Sequence, residues 1–347
     1  MGCWPPSPAS ILNPIRPPFG NPLSDSLKPG NDLAIPALNG KPQPYPVFLT
    51  RRVFRIYIPY LVALTFAVGG CFWLHGPLGM TSWANQTWSH PVQWHLVWQH
   101  VLFLGDYDTA QYNTAFWSLV IEMRVSLVFP LICVLVMRSP VWLSLPMAAL
   151  ISCCATYFLV GTSSANVPLL NTLHFASLFV VGILLARKRQ KLACWASGLT
   201  TRSALSILVV AILAFAYGDV FVRGMAAVLF HMHHTYLLDV ADWPSVVGAA
   251  VIISLSLGVG CLRRTLHKQP FQSLGRISYS VYLLHSTVLF TLLHLFGKTV
   301  PMLVLLAVYI PTVMILSTLM YEYVEKPSMA FGRSLSNKFK WPISISA

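Results

Sequence analysis

Acid is what this sequence has least of: ten Asp and Glu stand against 23 Lys and Arg in 347 residues. Charge of either sign is scarce, at 10% of residues, where a soluble domain carries about a quarter. With 56% hydrophobic residues, that shortage excludes an ordinary soluble domain and reads as a polytopic membrane protein. Cysteine is sparse and odd in number, at seven, with no CxxC or metal-type spacing. The cysteines therefore read as small apolar fillers and not as a disulfide framework or a thiolate metal site. No GxSxG elbow, HExxH, Walker loop or GxGxxG occurs, so hydrolase, zinc-protease, P-loop and dinucleotide motifs give no lead. Residues 1–50 lack an apolar core long enough for a cleavable signal peptide.

Long apolar runs are abundant. Candidate spans fall at 53–74, 115–137, 141–160, 168–186, 203–217, 244–261, 277–297 and 300–321, and the fifth can extend through Phe221. This predicts an all-α, eight-span membrane helix bundle. Residues 91–104 are apolar but short, with His95 and Gln93 interspersed, which suits an interfacial or re-entrant helix better than a span. Residues 1–32 are rich in Pro, Gly and Asn and lack helical period; a disordered tail is expected there. With Arg51, Arg52 and Arg55 on the cytosolic side and the spans alternating, every Lys and Arg but Arg124, Arg223 and Lys298 falls inside. That asymmetry orients both termini to the cytosol. The net charge of +13 is thus an orientation signal from clusters at span ends, and nucleic acid is not an expected partner. The lipid bilayer is.

The second span carries an acid and a base. At ~1.5 Å per residue, Glu122 lies roughly 10 Å below the outer end of that span and Arg124 about 3 Å deeper. Ionisable groups at such depth are costly and face a bundle interior or a wet cavity, so both are candidate site residues. Two residues apart on a helix, they point to different sides, and each needs a partner from another helix. Arg52 and Arg55, one turn apart, serve either as a positive-inside anchor or as a clamp for the phosphates of an anionic cytosolic ligand. Tyr279, Tyr282 and His285 follow one another at i, i+3 along the seventh span, with His285 at ~12 Å depth from the cytosolic end, close to that of Glu122. Glu325 and Lys326 read as markers of the membrane surface, whereas Glu322 has scope to meet a basic residue. His231-Met232-His233-His234 with Asp239 and Asp242 invites a metal reading, but the spacing matches no standard zinc site, and no metal is expected. His75, His90, His95 and His100 form a weaker scatter still.

Four segments in order carry a resemblance: Arg52-Val53-Phe54-Arg55-Ile56-Tyr57-Ile58-Pro59-Tyr60; Trp117-Ser118-Leu119 with Glu122; Gly275-Arg276-Ile277-Ser278-Tyr279-Ser280-Val281-Tyr282-Leu283-Leu284-His285; and Glu325-Lys326-Pro327. Together they resemble the acyltransferase 3 family of integral membrane O-acyltransferases, and Phe179–Ala186 resembles a fifth family segment. The match runs from about Leu33 to Leu335. It implies a tail at 1–32, a membrane acyltransferase-like domain at 33–335 and a cytosolic tail at 336–347. It also implies transfer of an acyl group, commonly acetyl, from cytosolic acyl-coenzyme A to a hydroxyl of an extracytosolic or lipid-linked saccharide, in a bacterial cytoplasmic membrane. On that reading Arg52 and Arg55 meet the coenzyme's phosphates. Glu122, Arg124, Tyr282 and His285 supply the general base and the groups that meet the developing oxyanion. Members of the family usually begin with two further spans bearing an Arg and a His. Here the Pro-rich tail takes that place, and no His precedes His75. The expectation is a truncated or inactive relative, or one in which His285 serves as the base. A non-enzymatic carrier or a degenerate partner is the alternative.

Overall fold

In the computed structural model, residues 44–79, 84–103, 107–161, 167–230, 241–297 and 299–338 are described. They form Tyr45–Leu74 (α1), Trp94–Leu102 (α2), Phe116–Arg138 (α3), Val141–Gly161 (α4), Val167–Ser197 (α5), Thr201–Phe230 (α6), Asp242–Gly258 (α7), Gly260–Leu266 (α8), Gln269–Phe296 (α9), Met302–Met320 (α10) and Lys326–Lys338 (α11). A π-helical turn, Tyr321–Glu325, joins α10 to α11. No strand occurs among the described residues. Among the described residues, seven helices are long and apolar enough to cross a membrane, and α7 with α8 makes an eighth if that pair, bent by 94°, is one span. The protein is an all-α, multi-pass membrane bundle, with the spans where hydropathy puts them.

The helix ends differ from the hydropathy boundaries. Helix α1 starts at Tyr45 instead of 53, α5 continues from 186 to Ser197, and α6 runs on to Phe230. Falling hydropathy marks where the apolar layer ends, not where backbone hydrogen bonding ends, and Lys and Arg stems extend helices beyond it. The last span likewise passes through the π turn into α11, so the domain boundary drawn at 335 falls inside a helix. The expected tail at 1–32 and the His231–His234 cluster lie outside the described residues.

Packing divides the bundle into two groups. One core gathers α1, α2, the first turn of α3, α9 and α10 around Tyr60, Leu64, Phe116, Leu283 and Phe290. The other joins α3, α4 and α5 around Phe129, Cys133, Val180 and Ile183, with Phe48 of α1 seated in it. Helices α6 and α7 complete the second group by close backbone approach. A Cβ on Gly248 would stand 2.5 Å from the Ala211 carbonyl oxygen and 2.7 Å from the Phe215 nitrogen. One on Gly258 would stand 2.3 Å from the Ala193 carbonyl oxygen of α5. Without a hydrophobic drive between helices in lipid, such small-residue contacts carry the association. Gly248→Ala is therefore expected to lower the melting temperature of the detergent-purified protein by several degrees. Overpacking of this kind costs about 1–3 kcal/mol. Gly182→Ala in α5 meets nothing within 4 Å and should leave melting unchanged or slightly raised.

Candidate active site

The site is built where α1 and α3 run antiparallel. Tyr45 donates its hydroxyl to the Leu127 carbonyl at 3.1 Å, Phe48 stacks on Phe129 at 6.2 Å, and Tyr60 meets Phe116 edge-on at 4.8 Å. Within that register Arg52 Nη1 lies 2.9 Å from Glu122 Oε1. Glu122 thus finds the interhelical partner that its place in an apolar run demands. Arg52, 13% exposed at its side chain, sits inside the bundle and not at a cytosolic mouth; its guanidinium also lies over the Phe48 ring at 5.6 Å. Arg51 reaches α11 instead, at Ser336 and Asn337. Arg55 faces the Glu325 carboxylate and the Tyr279 ring within electrostatic reach.

Glu325 corrects the sequence reading. It is not a surface marker: it is 3% exposed and accepts a 2.7 Å hydrogen bond from Ser280 of α9. The π turn ends on it, and the added residue of a wide turn is what swings a side chain inward at such a position. Glu322 pairs with Lys326 at 2.6 Å on the outside.

Helix α9 supplies the third wall. Tyr279 donates to the Ile56 carbonyl at 2.9 Å, and the Tyr282 hydroxyl sits between the Ser118 hydroxyl and the Ala115 carbonyl. Asn113 bridges the start of α3 to Leu283 and Thr287. His285 Nδ1 lies 2.7 Å from the Tyr282 carbonyl. A carbonyl only accepts, so the neutral ring carries its proton on Nδ1 and turns the Nε2 lone pair outward. Since Ser286 meets Thr114, His285 stands level with the first turn of α3. Glu122 lies about two turns away, ~10 Å along the helix. The shared depth read from sequence does not hold.

The reason is the segment between α1 and α3, which folds back into the bundle. Gly76 N donates to the Trp88 carbonyl, Trp88 fills the space against Gly70 and donates from its indole to the Tyr112 carbonyl. Helix α2 descends from there until Tyr57 and Tyr60 donate to the Val101 and His100 carbonyls. Tyr60 is ~20 Å below the Leu74 end of α1, at ~1.5 Å per residue. The short apolar run is re-entrant, and α3 starts deep inside the bundle, which moves Glu122 away from the outer end. Phe103 ends α2 in the left-handed region at φ 56°, and its ring is held against Tyr57 and Tyr60.

His100 comes to rest there with no exposure at all, while His75, His90 and His95 stay exposed; the four do not converge. Its ring stands 4.8 Å from Tyr107 and 5.1 Å from Tyr112. An imidazolium in that ring of aromatic groups would be an unpaired charge in an apolar pocket. Arg124 stands within electrostatic reach of Tyr107. A second buried histidine, His174 of α5, has both nitrogens occupied, by Ser152 at 2.8 Å and Asp242 at 3.4 Å. Trp243 also donates to Ser152 at 2.9 Å. Sequence reasoning missed His100, Tyr107, Ser280 and this network. Only the Glu-Lys-Pro segment had signalled Glu325.

The Arg52–Glu122 pair yields a test. Arg52→Gln, which strands a carboxylate only 34% exposed at its side chain, should lower the melting temperature more than the double variant Arg52→Gln/Glu122→Gln does. Strictly additive losses in thermal scans would count against the pair.

No curated protein and no solved structure matched the chain. The acyltransferase-domain family model matches residues 33–322, which spans all of the helices just described as far as the π turn, and the chain belongs to the acyltransferase 3 family.

Proposed function

We propose that this membrane acyltransferase moves an acyl group, acetyl first among the choices, from acyl-coenzyme A on the basic, cytosolic side to a hydroxyl of an extracytosolic or lipid-linked saccharide. The observation that supports it best is a set of charged and polar side chains gathered between α1, α3, α9 and the π turn. Arg52–Glu122 and Arg55–Glu325–Ser280 stand nearer the Tyr45 end, with Tyr282 and His285 beyond them. Apolar helices retain such a set at a cost that a reaction centre explains.

In this reading Arg55 meets the donor's phosphates, and Arg52, with Glu122 fixing its guanidinium, supports it from the next turn. Arg124 and the Tyr282 hydroxyl lie along the path of the acyl group. The acceptor hydroxyl gives its proton to His285 Nε2 as its oxygen attacks the thioester carbonyl carbon. The new C–O bond forms, the C–S bond breaks, and the imidazolium returns the proton to the departing coenzyme thiolate. One proton is taken and one is given back, so nothing further is consumed. The protein sits in a cytoplasmic membrane with both termini in the cytosol.

Purified protein given acetyl-coenzyme A and a saccharide acceptor should release free thiol and an O-acetylated product. His285→Gln is expected to lower kcat about 10²–10⁴-fold, the usual worth of a general base. Arg55→Ala should instead raise KM for the donor, in a protein that still folds. If the wild type binds no acyl-coenzyme A at millimolar concentration, the chain is a carrier or a partner protein and the reading fails.

A further inference from the structure

Buried polar atoms without partners are rare in proteins, and each one asks for a ligand, an ion or a water. Among the described residues they include His100 Nδ1 and Nε2, the Tyr107 hydroxyl, Arg52 Nε, Arg223 Nε and Ser317 Oγ. Three of them belong to one contact, the His100–Tyr107 ring pair at the inner end of the re-entrant helix. A neutral imidazole carries one N–H whichever tautomer it adopts, and a phenol carries one O–H. Two side chains, each with one N–H or O–H to donate and none of it used, therefore stand in edge contact. The contact is anchored, because Tyr57 and Tyr60 hold the carbonyls of Val101 and His100 from below. It also adjoins the polar set: Arg124 acts on Tyr107, and Tyr60 lies within electrostatic reach of Tyr107, Tyr57 and Tyr279.

We infer that His100 and Tyr107 form an oxyanion hole that receives the thioester carbonyl oxygen of the acyl donor. This deepens the acyl-transfer reading and rests on it. When the acceptor oxygen adds to the carbonyl carbon, negative charge gathers on the carbonyl oxygen. The His100 N–H and the Tyr107 O–H donate to it, and both bonds relax when the C–S bond breaks and the carbonyl re-forms. No proton changes hands at these two residues. Preorganised donors in a site closed to water act most strongly on such charge, because they need no reorientation at the moment of reaction. A neutral imidazole suits the role better than an imidazolium, which would bring an unpaired charge into an apolar pocket.

The test uses the full-length protein and acetyl-coenzyme A carrying ¹³C at the acetyl carbonyl, without acceptor, followed by infrared difference spectroscopy. The bound carbonyl band should move to lower frequency than in free donor. Tyr107→Phe, which keeps the ring and so the packing, and His100→Phe should each shrink that displacement. Each should also lower kcat about 10²–10³-fold, the range for loss of one such donor, with donor affinity within a few-fold of wild type. His100→Gln, which retains an N–H, should recover part of both. A bound donor with an unshifted band overturns the inference while leaving acyl transfer intact, as do variants within threefold of wild-type kcat, which would mean that the pocket holds an ordered water only. If His100→Gln abolishes turnover and the acid limb of the pH–rate profile, His100 is the base and the oxyanion role is wrong. Failure of the wild type to bind the donor removes both readings together.

Discussion

A carboxylate and a guanidinium withdrawn from water between two apolar helices leave little freedom to what surrounds them. Each ion alone in that setting costs several kcal/mol, so Glu122 in α3 and Arg52 in α1 require one another. Meeting that requirement fixes which way the two helices run and how far one slides past the other. Tyr45 then falls opposite Leu127, Phe48 opposite Phe129 and Tyr60 opposite Phe116. The pair contributes little net stability by this logic. Its effect is on specificity, because slipping α1 against α3 by a turn would leave two charges without partners.

That register has a topological consequence. The outer half of α1 extends beyond the start of α3, and the space beside it would open to lipid. Residues 76–79, 84–103 and 107–115 fill it instead, packing Trp88 against Gly70 and setting His294 of α9 within 3.2 Å of the Gly76 carbonyl. Backbone at such depth tolerates irregularity only when protein encloses it. The Tyr57, Tyr60 and Tyr112 hydroxyls and the Trp88 indole do that work, by meeting backbone groups that no helix satisfies. Trp94, Trp98 and Leu102 form the exposed face of the same short helix, so one side of α2 rests on the site and the other on the apolar surroundings. The segment is at once the lid of the polar set and part of the lipid-facing wall.

The number, order and type of the elements were legible in the sequence because bilayer thickness converts hydropathy directly into helices. The charges were legible too: Glu122 in an apolar run must have an interhelical partner, and it does. What could not be read was relative depth. Counting residues from a span's end assumes that every span starts at the same surface, and α3 does not. For that reason Glu122 and His285 were placed level, and His100 was left in a scatter of histidines. Glu325 was misread for a different reason. A π turn alters the facing of one residue and leaves hydropathy untouched, so no periodic argument brings that carboxylate to Ser280.

Two buried histidines then separate structure from readiness. His174 has a hydroxyl on one nitrogen and a carboxylate near the other, and Trp243 closes the chain onto Ser152. Such a network spends its hydrogen bonds on holding α4, α5 and α7 together, and leaves nothing to offer a ligand. His100 is equally buried, yet it gives both nitrogens nothing, beside a tyrosine hydroxyl in the same state. Packing alone would favour a phenylalanine there, since an apolar ring fills the volume without the cost of dry polar atoms. A helix that dips into the bundle to place unsatisfied donors next to the charged set is therefore poised for something absent from the resting protein. On the acyl-transfer reading proposed above, the thioester carbonyl of the donor would be the acceptor brought to that spot.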